Sequence, residues 1–357
     1  MKKSLIAIAV LGATALTANA ASVSLYGNLD AGVAYQHHKK DGEKTSSFKM
    51  VNGIASDNYI GLKGSEELGA DMKAGFVLEN GFTLSDGKLE KEKTLFSREA
   101  RLFVDGVFGE LSAGRMGSLG NGNGSYNIVF KNMDAMNGRN QTMTGFVKTP
   151  VLNNAVAYKT PTFGGFTGYA QYSFGVVDQN QDKHKDNNRF FALGGTYSIA
   201  NVNLAGSVEQ GLPGKDKADD KKPLVVNFGG NVAFDDLTVF SGVQYARHLH
   251  GNNMYFSVSK LFSEADQERL PLDKSLAGTI GAKYVFGNSE VSGAGYLARH
   301  KFNDFKTDVM GLAARYDYHL SSRTAVYLGT DMARVKVKDT DSKGHEISVY
   351  SGVKHSF

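Results

Sequence analysis

The chain has no cysteine and no tryptophan, and only 5 of its 357 residues are proline. Without cysteine, disulfides contribute nothing to stability, which must come from packing and hydrogen bonding. Beyond Ala21 no apolar run approaches the ~18 residues of a membrane helix, so helical membrane spans are excluded. Mean hydropathy is −0.29. The formal charge of +4 includes Lys2 and Lys3, leaving 4 − 2 = +2 for the rest of the chain. That balance lacks the concentrated basic footprint of nucleic-acid binding.

What is present starts with "MKKSLIAIAVLGATALTANA", in which Lys2 and Lys3 precede an apolar stretch from Leu5 to Leu16 and then Ala18-Asn19-Ala20. This pattern predicts a cleaved secretory signal peptide over 1–20 and a mature domain over 21–357. Its apolar part is shorter than a membrane span needs. The remainder is rich in glycine (42) and in aromatics, with 16 Tyr and 22 Phe.

Period 2 dominates almost everywhere. In "SVSLYGNLDAGVAY" Val23, Leu25, Leu29, Ala31 and Val33 share one face, and Ser24, Tyr26, Asn28 and Asp30 the other. "VMGLAARYDYHL" sets Met310, Leu312, Ala314, Tyr316 and Tyr318 against Gly311, Ala313, Arg315 and Asp317. Sixteen such runs begin near residues 22, 54, 72, 94, 109, 154, 166, 189, 201, 223, 237, 275, 289, 308, 323 and 346. Short connectors of Gly, Asn, Asp and Ser, such as Leu68-Gly69-Ala70-Asp71 and Gly287-Asn288-Ser289, take turns with long charged ones, such as "HHKKDGEKTSSFKMVN" and "GLPGKDKADDKK". In lipid every backbone polar group needs a partner, so a sheet spans only if it closes on itself. The pattern therefore predicts an all-β transmembrane barrel: sixteen antiparallel strands running up and down, short turns on one side and long loops on the other. The final "EISVYSGVKHSF" reads as the closing strand, with Ile347, Val349, Val353 and Phe357 facing lipid and Tyr350, Lys354 and Glu346 facing the lumen.

At this point the chain resembles the Gram-negative porin family of the betaproteobacterial type, which are trimeric sixteen-stranded general porins of the outer membrane. The likeness is carried by "SVSLYGNLDAGVAY", "IGLKGSEELGADMKAGFVLENGF", "LFSREARLFVDGVFGELSAGR", "AVAYKTPTFGGF", "YHLSSRTAVY" and the final "GVKHSF", in family order over the whole mature chain. The resemblance implies that Met116 to Pro150, the third external loop, folds into the barrel and narrows it. It further implies wall residues Glu79 and Arg98 at the narrowing, with Tyr59 and Val151 where the family commonly has arginine. Phe357 would be part of the signal read by the barrel-insertion machinery. The partners implied are a homotrimer, outer-membrane lipid or lipopolysaccharide, the insertion machinery and periplasmic chaperones, and small hydrophilic solutes and inorganic ions. No cofactor is implied.

Within Met116 to Pro150, Lys131, Arg139 and Lys148 stand against one acid, Asp134, giving +3 − 1 = +2. Lumen-facing alternation adds Lys63, Arg101, Lys283 and Arg315, opposed by Glu79, Asp30 and Asp317. Such a ring concentrates oppositely charged solutes, so the sequence predicts a passive diffusion pore with modest anion preference. A substrate-specific channel is the alternative, and a barrel lipase or protease a further one, although no nucleophile elbow is present. His248 and His250 fall on one strand face but lack the third ligand of an ordinary zinc site. His37-His38 reads as a loop edge. Leu249 to Lys274 is an unusual external insert that reads as an extra hairpin arm, a cap or two further strands.

Overall fold

The computed structural model describes residues 22–137, 145–177, 179, 183–214, 221–249, 272–303, 305–338 and 342–357. The signal-peptide reading of 1–20, Arg139, His250 and most of the insert at 250–271 lie outside them. Seventeen strand segments form one antiparallel sheet. They are β1 (Ser22–Lys40), β2 (Glu43–Asn52), β3 (Tyr59–Gly69), β4 (Met72–Gly81), β5 (Glu99–Gly106), β6 (Gly109–Gly117), β7 (Val151–Lys159), β8 (Phe166–Ser173) and β9 (Arg189–Ile199). Then come β10 (Val202–Leu212), β11 (Leu224–Phe234), β12 (Leu237–Leu249), β13 (Leu272–Phe286), β14 (Ser289–Phe302), β15 (Lys306–His319), β16 (Thr324–Lys338) and β17 (Lys343–Ser356). One short helix, α1 (Val129–Met133), interrupts the β6–β7 connector.

Closure is direct. One edge of β1 pairs with β17 from Asn28↔Ser356 to Lys40↔Gly344. Its other edge pairs with β3 from Ser22↔Ser65 to Asn28↔Tyr59, and higher up with β2 from Ala31↔Asn52 to Lys40↔Glu43. β2 and β3 are thus two halves of one wall strand, and 17 − 1 = 16 positions complete the circle. β12 lies beside β13 from Leu237↔Tyr284 to Leu249↔Leu272, so the 249–274 insert adds no strand to the wall between them.

Two sequence expectations are corrected here. The stretch 37–52 is not a loop: β1 runs on to Lys40 and turns into β2 through Asp41-Gly42, whose φ values of 50° and 98° are those of a two-residue hairpin turn. Accordingly His37 and His38 are strand residues, and His37 Nδ1 lies 2.9 Å from Ser46 Oγ across the hairpin.

The two faces are inverted relative to a soluble sheet. Leu102, Ile280 and Leu297 are more than 60% exposed, whereas Asp30, Glu99, Glu209 and Asp317 are fully buried. Apolar side chains point outward because hydrocarbon receives them, and polar ones turn inward to each other and to water. Glycine and aromatic residues combine on this wall: a Cβ at Gly61 would sit 2.5 Å from the Tyr26 ring, at Gly329 2.4 Å from Tyr350, and at Gly352 2.4 Å from the Tyr327 hydroxyl. Rings lying over glycines on adjacent strands fill the sheet surface and pin register.

Candidate functional site in the barrel lumen

Three charged nodes lie on the inner wall. In the first, the bend at 53–58 that joins β2 to β3 is held by Asp30, whose Oδ2 accepts from Ala55 N (2.7 Å) and Ser56 N (2.6 Å). Asn28 Nδ2 donates to Asp57 O at 2.7 Å. The bend thereby delivers Asp57 to Arg98, whose Nη1 donates to Asp57 Oδ2 at 3.0 Å and Nε to Glu79 Oε2 at 3.3 Å. The guanidinium lies 4.7 Å over the Tyr59 ring, and Tyr26 Oη donates to Glu79 Oε1 at 2.8 Å. Tyr59, Glu79 and Arg98, which the family resemblance sets near the narrowing, therefore meet.

The second node is Arg101, paired with Glu99 and, through Nη1, with Glu110 Oε1 (2.9 Å) and Ser112 Oγ (2.7 Å). Tyr126 Oη donates to Glu110 Oε1 at 3.1 Å, and Ser125 N to Glu99 Oε2 at 3.0 Å, so the β6–β7 connector is tied to this node. In the third, Asp317 accepts from Arg315 Nε at 2.7 Å and Lys354 Nζ at 2.6 Å. Lys63 is exposed and sits 5.0 Å over the Tyr26 ring, on the same face as the first node.

The described part of 116–150 packs on inner-face positions. Tyr126, Phe130, Met133 and Phe146 share one apolar cluster with Leu152, Phe190, Phe240 and Val309 of the wall. Phe130 and Phe146 meet edge to face at 5.9 Å. A fully buried side chain of this size stabilises by about 2 kcal/mol, so the connector is anchored and not draped. α1 comes so close to β11 and β12 that a Cβ at Gly229 or Gly242 would stand 2.5 and 2.6 Å from Met133 Cβ. Polar ties add direction: Asn231 Nδ2 donates to Asn132 O at 2.9 Å, and Gln244 both accepts from Val147 N (2.7 Å) and donates to Val147 O (2.9 Å). Asp134, buried, accepts from Tyr296 Oη at 2.8 Å. Lys131 is exposed, and Lys148 is half-buried.

A family model described as Gram-negative porin matches residues 7–339. The chain belongs to the Gram-negative porin family. It is 30% identical over 370 residues to outer membrane porin protein 32 of Delftia acidovorans, covering 99% of this chain and 95% of that one. It is 29% identical over 405 residues to an outer membrane porin protein of Bordetella pertussis, covering both chains fully. Its fold matches that of an anion-selective porin from Comamonas acidovorans with a TM-score of 0.66 and 23% identity, over 95% of this chain and 100% of that one. This porin is accordingly an outer-membrane channel protein with a closed sixteen-strand wall.

Sequence reasoning missed the acids that neutralise the wall arginines. Asp57, Glu99 and Glu110 were not singled out, although Glu99 and Arg101 lie two apart on one strand face, a spacing that could have marked them. Asp57 carries no such signal, because it reaches Arg98 only through the bend. Among the described residues no group of three or more His, Asp or Glu is arranged to hold a metal ion, and His248 instead faces Asp273 at 3.7 Å.

Proposed function

We propose that this porin passes small hydrophilic solutes and inorganic ions by passive diffusion, with a modest anion preference set where segment 116–150 lines the lumen. One observation carries the sign: the exposed charges without an ion pair among those named for the lumen are lysines. Asp30, Asp134, Glu209 and Asp331 are buried. Arg98, Arg101 and Arg315 face carboxylates at hydrogen-bonding distance. Lys63 and Lys131, by contrast, are exposed, and neither forms an ion pair among the described residues. A passing solute therefore meets two lysine charges that no carboxylate pairs with, which raises local anion concentration. The likeness to a porin whose name declares anion selectivity supports the same sign.

The reversal potential of the purified protein in a planar bilayer under a KCl gradient tests this directly. Anion preference is the expected result, and Lys131→Glu reduces it; cation preference in the native protein would overturn the reading. The same reading assigns residues 1–20 to a cleaved leader, the assembly to a homotrimer in contact with lipopolysaccharide, and Phe357 to recognition by the barrel-insertion machinery after escort by periplasmic chaperones. It assigns no catalysis, and turnover in a lipase or protease assay would contradict that.

A further inference from the structure

The turn 118–121, where segment 116–150 leaves β6, sits on one rung of the inner wall. Gln171 of β8 stands directly opposite Ala192 of β9, and Ala192 opposite Glu209 of β10. Only a methyl group separates the two polar side chains, whose Cα atoms lie about 10 Å apart across two antiparallel rungs. The turn is tied to both. Gln171 Nε2 donates to Gly117 O at 3.0 Å, and a Cβ at Gly120 would stand 2.6 Å from Glu209 Oε1. The far end of the segment is held at the same place, because Asn121 Nδ2 donates to Thr149 O at 2.5 Å and Ser118 Oγ lies 2.6 Å from Thr149 Oγ1.

Three oxygens at this seat are unmatched. Glu209 Oε2, Gln171 Oε1 and Asn121 Oδ1 are buried and have no hydrogen-bond partner. Since the two amide nitrogens donate to Gly117 O and Thr149 O, the atoms left over are acceptors. Glu209 is fully buried, and no lysine or arginine pairs with it among the described residues. Its other oxygen, Oε1, accepts from Ser207 Oγ at 2.9 Å, a neutral donor that leaves the charge in place. Buried carboxylates are ordinarily paired, metal-bound or protonated. A proton on Oε2 would cancel the charge but leave both amide oxygens bare. One water has two protons and no charge, so it covers two of the three acceptors and balances nothing. A hard cation satisfies all three at once, because carboxylate and amide oxygens are its ordinary ligands. The single carboxylate also selects valence: −1 + 1 = 0 for a monovalent ion, whereas a divalent one would bury +1. We propose that a monovalent hard cation of sodium's kind binds between Glu209 Oε2, Gln171 Oε1 and Asn121 Oδ1, and staples both ends of segment 116–150 to the wall.

The test is a sodium titration of the purified full-length protein in detergent, in chloride salts of constant ionic strength with N-methylglucammonium as the replacement cation. Limited proteolysis reads how often segment 116–150 opens. Cleavage there is expected to slow about tenfold once sodium reaches ten times its dissociation constant, because a bound ion suppresses opening in proportion to occupancy. Glu209→Gln keeps the shape and removes the charge, so its cleavage rate no longer responds to sodium. The native protein also broadens the sodium NMR line, and Glu209→Gln does not. Equal cleavage in the two salts, an unchanged sodium response in Glu209→Gln, or protection by calcium at lower concentration than by sodium would each overturn the proposal. If Glu209→Gln does not fold, Gln171→Met, which removes one oxygen ligand and keeps the volume, is titrated instead. Its sodium affinity falls at least about tenfold, and unaltered affinity would be equally fatal.

Discussion

At the scale of single residues, an arginine on a pore wall contributes a field only so far as its charge is unmatched. Arg98 with Glu79 and Asp57 sums to +1 − 2 = −1, so the native node is already slightly acidic. Arg98→Gln takes it to −2 and is expected to shift the anion-to-cation permeability ratio toward cations by about twofold. Arg98→Gln/Glu79→Gln restores −1 and, if field and not shape decides, returns the reversal potential near the native value. A double variant that stays shifted would assign the effect to geometry. The face of Glu79 was legible in the sequence because period 2 fixes side, whereas Arg98, which precedes β5, was placed on the wall by the family resemblance alone. Their partner Asp57 was not legible, because it depends on a break in a strand that no periodicity announces.

Among elements, the β6–β7 connector depends on a missing side chain. α1 rests against Gly229 and Gly242, which face each other on β11 and β12, and Met133 occupies the space their Cβ atoms would take. Gly242→Val should overpack this seat at a cost of about 1–3 kcal/mol and push α1 toward the lumen. Single-channel conductance then falls, and the connector becomes protease-sensitive at a lower temperature while the sheet signal in circular dichroism persists. Unchanged conductance would show that α1 does not narrow the path. Strand starts were the most legible elements: runs read at 22, 72, 109, 166, 189, 237 and 289 coincide with β1, β4, β6, β8, β9, β12 and β14. The β1–β2 hairpin was illegible for a physical reason. At that height neither face of the hairpin carries the sustained apolar stripe that reveals a strand, and only Asp41-Gly42 marks the turn.

The whole molecule is closed by backbone and ring together. Gly27 N donates to Phe357 O, and Phe357 N to Gly27 O, both at 3.1 Å. The Phe357 ring covers Gly27 so closely that a Cβ there would lie 2.5 Å from Cζ. His355, an odd residue on an apolar face by alternation alone, lies 2.9 Å from Thr324 Oγ1 and stacks beside Phe357 at 6.4 Å. Phe357→Ala removes the ring and keeps the rung. It is expected to cut the amount of heat-modifiable barrel in cells several-fold more than it alters conductance of barrels that do insert; the reverse ranking would refute a role in assembly. The same seam also sets an order of events. Asn28 meets Ser356 across a separation of 328 residues, so the first strand stays unpaired on one edge until the chain has been made almost to Phe357. Synthesis therefore finishes before the wall can be sealed, and the last strand to be made supplies the edge for which the first has been waiting.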